Sequence, residues 1–126
     1  MPLYQGYTHL GQNERLNDII LWEQVTPNGH SRKVYEPKAG INYRIGEVLK
    51  ADGTKVAKGE EAQADSVCIV NFYSDLKLSY HGQLYVVGIF REAELKDALV
   101  LEEGVDEAAV KAALQAKSID FVPTGL

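Results

Sequence analysis

The sequence predicts a mainly β fold of the α+β class: a compact sandwich-like or barrel-like body with one or two short helices and an extended N-terminal arm. Three observations predict it. Between residues 25 and 90 the apolar residues come in short runs, separated by turn signals at Asn28-Gly29, Asp52-Gly53 and His81-Gly82. Near the C-terminus, "DEAAVKAALQAK" from Asp106 to Lys117 repeats small and apolar residues at helical spacing. The opening stretch to about residue 18 carries Gly6 and Gly11 among polar residues and keeps neither period. Residues 1–30 are therefore read as an arm with an anchor segment, and residues 31–126 as one β-rich domain.

Along the arm, Tyr4, Tyr7 and Leu10 stand three apart, too sparse to bury a continuous face. "NDIILWEQV" follows, with Ile19, Ile20, Leu21 and Trp22 too apolar to stay in water, so this segment must dock on something. "TPNGH" then supplies a turn, and "SRKVYEPKAG" a short extended piece ended by Pro37. "INYRIGEVLK" alternates as a strand with Ile41, Tyr43 and Ile45 on one side, and "TKVA" returns as a short strand after Asp52-Gly53. "SVCIVNFYSD" and "QLYVVGIFR" read as the core strands, because Val67, Ile69, Val70 and Phe72 in one and Leu84, Val86, Val87, Ile89 and Phe90 in the other are apolar on both faces. "EAELKDAL" has the charge and spacing of a short helix. Asp106 then N-caps "EAAVKAALQAK", in which Glu107, Lys111 and Gln115 face water and the alanines form a wide arc with Val110 and Leu114. "SIDFVP" is a final strand whose Ile119 and Phe121 close the core.

Composition narrows the function classes. A formal charge of -5, from 13 basic and 18 acidic residues, opposes tracking a phosphate backbone, so nucleic acid is not an expected partner. The lone Cys68 sits in an apolar run and reads as a small buried hydrophobe, which leaves no disulfide framework. No apolar run reaches membrane-spanning length and the polar start lacks a signal-peptide core, so a soluble cytoplasmic product is expected. No nucleophile elbow, P-loop, dinucleotide fingerprint or metal-spaced His pair occurs. His9, His30 and His81 read as surface histidines, and Ser79-Tyr80-His81 as a solvated turn. The acidic pairs Glu60-Glu61 and Glu102-Glu103 read as solubilising loops. "IGEVLKADGTKVAKGEE" looks like half of a biotinyl or lipoyl carrier, but Lys55 and Lys58 lack the flanking residues of a modified lysine and no second half repeats them. No enzymatic activity, cofactor or metal is expected.

Three segments in order carry a more specific likeness. "SRKVYEPKAGINYRIGEVL", then "VVGIFREAEL", then "DEAAVKAALQAKSIDFV" resemble the lambda-type bacteriophage head decoration proteins over about Ser31 to Val122. Ser118 stands where that family commonly has Gly before Ile119. The resemblance implies a capsid-stabilising virion protein on the outer surface of the expanded shell, made in the host cytoplasm. It implies a homotrimer whose partner is the major capsid protein, with no enzymatic role and no membrane. A small carrier or ligand-binding β-domain, and a tail tube or head-completion protein, are the alternatives.

On that reading the arm orders by adding a strand to a capsid edge, with Tyr4, Tyr7 and Leu10 in shallow sites and Ile19, Ile20 and Trp22 as anchors. The other possibility, that Ile19, Ile20 and Trp22 complete the domain's own core, stays open. Ala108, Ala112 and Leu114 are the candidates for an interface between copies.

Overall fold

The computed structural model describes residues 19–26, 29–79 and 84–123. Among the described residues, two sheets, two short β-ribbons, one α-helix and a single 3-10 turn at Glu61–Gln63 make up the body, so the mainly β expectation holds. The first sheet has the order β1-β10-β11, from Ile20–Glu23, Ala93–Lys96 and Ile119–Val122. The second runs β4-β9-β6-β5, all antiparallel, from Arg32–Tyr35, Val86–Ile89, Ala64–Cys68 and Val48–Lys50. The ribbons are β2 with β3, Val25–Thr26 and Gly29–His30, and β7 with β8, Phe72–Tyr73 and Leu78–Ser79. Among the described residues neither sheet closes into a barrel.

One parallel pairing organises the C-terminal half. β10 and β11 run parallel, in register from Ala93↔Ile119 to Lys96↔Val122, and the chain between them carries helix α1, Glu107–Gln115. A parallel pair needs such a crossover, and a helix supplies it while covering the sheet. Asp106 caps α1 as expected: its Oδ1 accepts from the Ala108 N–H at 3.0 Å and the Ala109 N–H at 3.4 Å. Val110 and Leu114, one turn apart, turn into the core, where Leu95, Ile89, Val67 and Ile119 are also fully buried.

Several expectations need correction. "EAELKDAL" is a strand rather than a helix: Glu92 turns the backbone left-handed (φ 45°), and Ala93 and Leu95 then alternate inward against Glu94. β1 and β11 on either side supply the backbone bonds that a helix would have made internally. "INYRIGEVLK" is ordered as a strand only over Val48–Lys50, with single bridges at Tyr43↔Phe72 and Glu47↔Val100. Gly46 breaks it. At φ 98° its missing Cβ would lie 2.8 Å from the Ala98 carbonyl oxygen, so the crossing chain fits only against glycine. The expected long core strands are also shorter, and Leu84 is 63% exposed instead of buried. The buried run Val67 to Val70 and the fully buried Val86 and Ile89 do form the covered centre.

Candidate interaction surface

β1 enters the first sheet as an edge strand. Ile19 just before it is buried in the core, and its carbonyl accepts from the Lys96 N–H at 2.8 Å. Ile20 is half-buried against the same core. Between Ile20↔Leu95 and Trp22↔Glu94 the register shifts, so Leu21 is an extra residue and both Leu21 and Trp22 project into water. Trp22 is 50% exposed. The expected anchor thus divides: Ile19 completes the domain's own core, Ile20 supports it, and Trp22 faces outward. Tyr4, Tyr7 and Leu10 lie outside the described residues.

This edge is held rigidly. Glu23 receives Arg32 in a bidentate pair, Nε to Oε1 at 2.8 Å and Nη2 to Oε2 at 2.7 Å, which ties β1 to β4 of the other sheet. Ser31, fully buried, joins three segments: its Oγ accepts from the Gln24 N–H at 2.8 Å and donates to the Glu92 carbonyl at 2.7 Å, while its own carbonyl accepts from the Phe90 N–H. No sequence motif marks Ser31, because its role depends on Glu92, sixty-one positions away.

The helix residues divide too. Ala108 and Ala112 are exposed on α1, and Ala112 lines a shallow groove with Ala62, Ala64, Ala109, Ala113, Ala116 and Lys117. Leu114 is fully buried, so its assignment to an interface between copies is corrected to a core role: it and Val110 lie on the one stripe of α1 that faces the sheets. Lys111 is half-buried, bridging Asp97 and Glu107 beside the Phe121 ring, rather than facing water.

A polar cluster lies where β4, β6 and the end of α1 meet. Asp65 accepts from the Tyr35 hydroxyl at 2.6 Å, the Lys117 ammonium at 2.9 Å and the Lys33 ammonium at 3.1 Å. Burial pushes the Asp65 carboxyl up, but these three donors outweigh it and hold it down at about 2. The Tyr35 hydroxyl is pushed well above its ordinary range by burial and by its bond to Asp65, so it stays protonated. Gly88 makes room for this cluster: a Cβ there would lie 2.9 Å from Ser66 Cβ and 3.2 Å from Tyr35 Cε1.

Groups that could carry chemistry are occupied structurally. Burial pushes the Cys68 thiol up to about 12, and its Sγ donates to the Val70 carbonyl, which leaves no reactive thiolate at neutral pH. Lys55 Nζ lies 3.0 Å from Glu47 Oε2 and 5.9 Å from the Tyr43 ring centre, unlike a lysine presented for modification. Glu60 and Glu61, read as merely solvating, are braces: Glu60 pairs with Lys50 at 2.9 Å and Glu61 accepts from the Asp106 N–H at the start of α1. His30 is exposed, while His9 and His81 lie outside the described residues. Among the described residues there is no group of three potential metal ligands and no helix long and apolar enough to cross a membrane. Neither a family model, nor a curated protein, nor a solved structure matches the chain.

Proposed function

We propose that this chain is a structural virion protein that clamps the outer surface of an expanded bacteriophage capsid and steadies it against the pressure of packaged DNA. The observation that carries the reading is the outward-facing pair Leu21 and Trp22, on an edge strand whose flanks are fixed by Ile19 and by the Glu23–Arg32 pair. A large apolar pair kept in water on a rigid edge is costly unless a partner covers it. Residues 1–18 lead directly into that edge, so an arm bound to the shell would bring Trp22 against it.

The order of segments shared with the lambda-type decoration proteins supports the same reading, as does an acidic surface suited to the outside of the shell, away from the genome. The working unit on this view is a homotrimer with the major capsid protein as its partner. Ala108 and Ala112 remain candidates for the contact between copies. Three arms engaging together raise avidity by roughly 10²- to 10⁴-fold over one arm. No cofactor or catalysis belongs to this function.

The test is co-sedimentation with expanded and unexpanded shells, comparing the full chain with one lacking residues 2–18. The full chain is expected on expanded shells only, and the shortened chain is expected to stay folded and in the supernatant. Undiminished pelleting of the shortened chain would defeat the proposal.

A further inference from the structure

In a protein of net charge -5, three cations gather beside the β4 edge of the second sheet, which no other strand among the described residues covers. Lys33 Nζ lies 5.7 Å from the centre of the Phe90 ring, and Arg91 Cζ lies 5.2 Å from the same ring. Lys117 joins them through Asp65, which both lysines share. Elsewhere Arg32, Lys50, Lys55 and Lys111 each have a carboxylate of their own. Here, among the described residues, one carboxylate serves two lysines and none pairs with Arg91. Even with the exposed Glu92 counted, the cluster keeps an excess of positive charge.

The strand beside it is built to be extended. The Phe90 N–H donates to the Ser31 carbonyl, and the Ile69 N–H donates to the carbonyl of Val87, the residue opposite Val34. The ladder bonds between β4 and β9 therefore fall at Lys33↔Gly88 and Tyr35↔Val86, and the N–H and C=O of Val34 point away from β9. Val34 is 60% exposed, and β4 has no bulge to blunt it. Residues along β4 alternate, so a strand added here would set one side chain beside Lys33 and the next beside Val34.

We infer that the β4 edge, with the Lys33–Arg91–Lys117 cluster at its side, is a docking site for an extended acidic segment of a protein partner, acidic side chains meeting the cations and apolar ones meeting Val34. Charge complementarity selects this occupant, because a basic or neutral strand would leave the excess charge uncompensated. The site is separate from the Leu21–Trp22 edge and does not depend on the shell reading.

Titration of isotope-labelled full chain with a capped hexapeptide alternating Glu and Val tests it. The amide signals of Val34 and Arg91 are expected to shift with saturation, and the affinity to fall as salt rises. The same peptide with Lys for Glu is expected to leave them unmoved. Arg91→Glu should weaken the acidic peptide by about tenfold or more. Val34→Pro, which removes the outward N–H and the exposed valine side chain without breaking a ladder bond to β9, should abolish binding while the thermal midpoint shows that the fold survives. Equal binding of both peptides, no saturating shift, or full affinity in a folded Arg91→Glu protein would overturn the inference. So would tighter binding of a single-stranded oligonucleotide than of the acidic peptide, since that would make the cluster a phosphate site.

Discussion

Ser118 occupies left-handed backbone, φ 64°, directly after the helix, where its N–H donates to the Gln115 carbonyl and its own carbonyl accepts from Ala93. An L-residue there carries a cost of roughly 1 to 2 kcal/mol that glycine escapes, partly offset by the greater freedom of glycine in the unfolded chain. Ser118→Gly is therefore expected to raise stability by up to about 1 kcal/mol, read from a denaturant midpoint; a lower midpoint would contradict it. Asp65 gives the acid limit. Its carboxyl sits at about 2 in the fold against about 3.9 when unfolded, a depressed value. Its contribution is thus complete above about pH 4 and is lost as pH falls from there towards 2. Asp65→Asn should cost roughly 2 kcal/mol at neutral pH and flatten the decline of the thermal midpoint between pH about 4 and about 2. Parallel curves for the two proteins would show that Asp65 is not the group responsible.

At the level of elements, α1 separates what a short window of sequence can show from what it cannot. Its cap and its length were legible, because Asp106 and the helical spacing act within a few residues. Its buried stripe is narrower than the spacing of its small residues suggests: alanines are tolerated on either face, and only the branched Val110 and Leu114 need the core. The helical spacing of β10 misleads for a related reason. Four residues hold little periodic information, and the pairing with β1 and β11, far away in sequence, decides their conformation. In the site, the exposed Trp22 and the buried Ile19 could not be told apart from composition, because the bulge at Leu21 sets which way each points. Leu114→Ala should therefore cost about 2 to 5 kcal/mol, while Ala112→Glu should leave the thermal midpoint of dilute protein nearly unchanged. If copies meet through this helix, light scattering will show Ala112→Glu as a smaller species. An unchanged mass would remove Ala108 and Ala112 from that interface.

For the whole molecule, the proposed attachment to a shell and the fold would place different demands on the same short segment, and Trp22 is where the two would separate. Truncating a half-exposed side chain on an edge strand removes little of the core, so Trp22→Ala should cost about 1 kcal/mol or less and move the thermal midpoint by a few degrees. A tryptophan that becomes covered at an interface contributes more than that, about 2 kcal/mol or above, or roughly thirtyfold in affinity for one contact. If the proposed trimer is the binding unit, the loss recurs at every copy, and pelleting with the shell should fall much further than one contact implies. Ile19→Ala should do the reverse, with a core cost of about 2 to 5 kcal/mol, and should reduce attachment only through the fraction unfolded. Measuring both variants for thermal midpoint and for pelleting with expanded shells places them on opposite diagonals if the edge is a clamp. Normal pelleting of Trp22→Ala, coupled to a large thermal loss, would return Trp22 to the core and leave the shell without its contact.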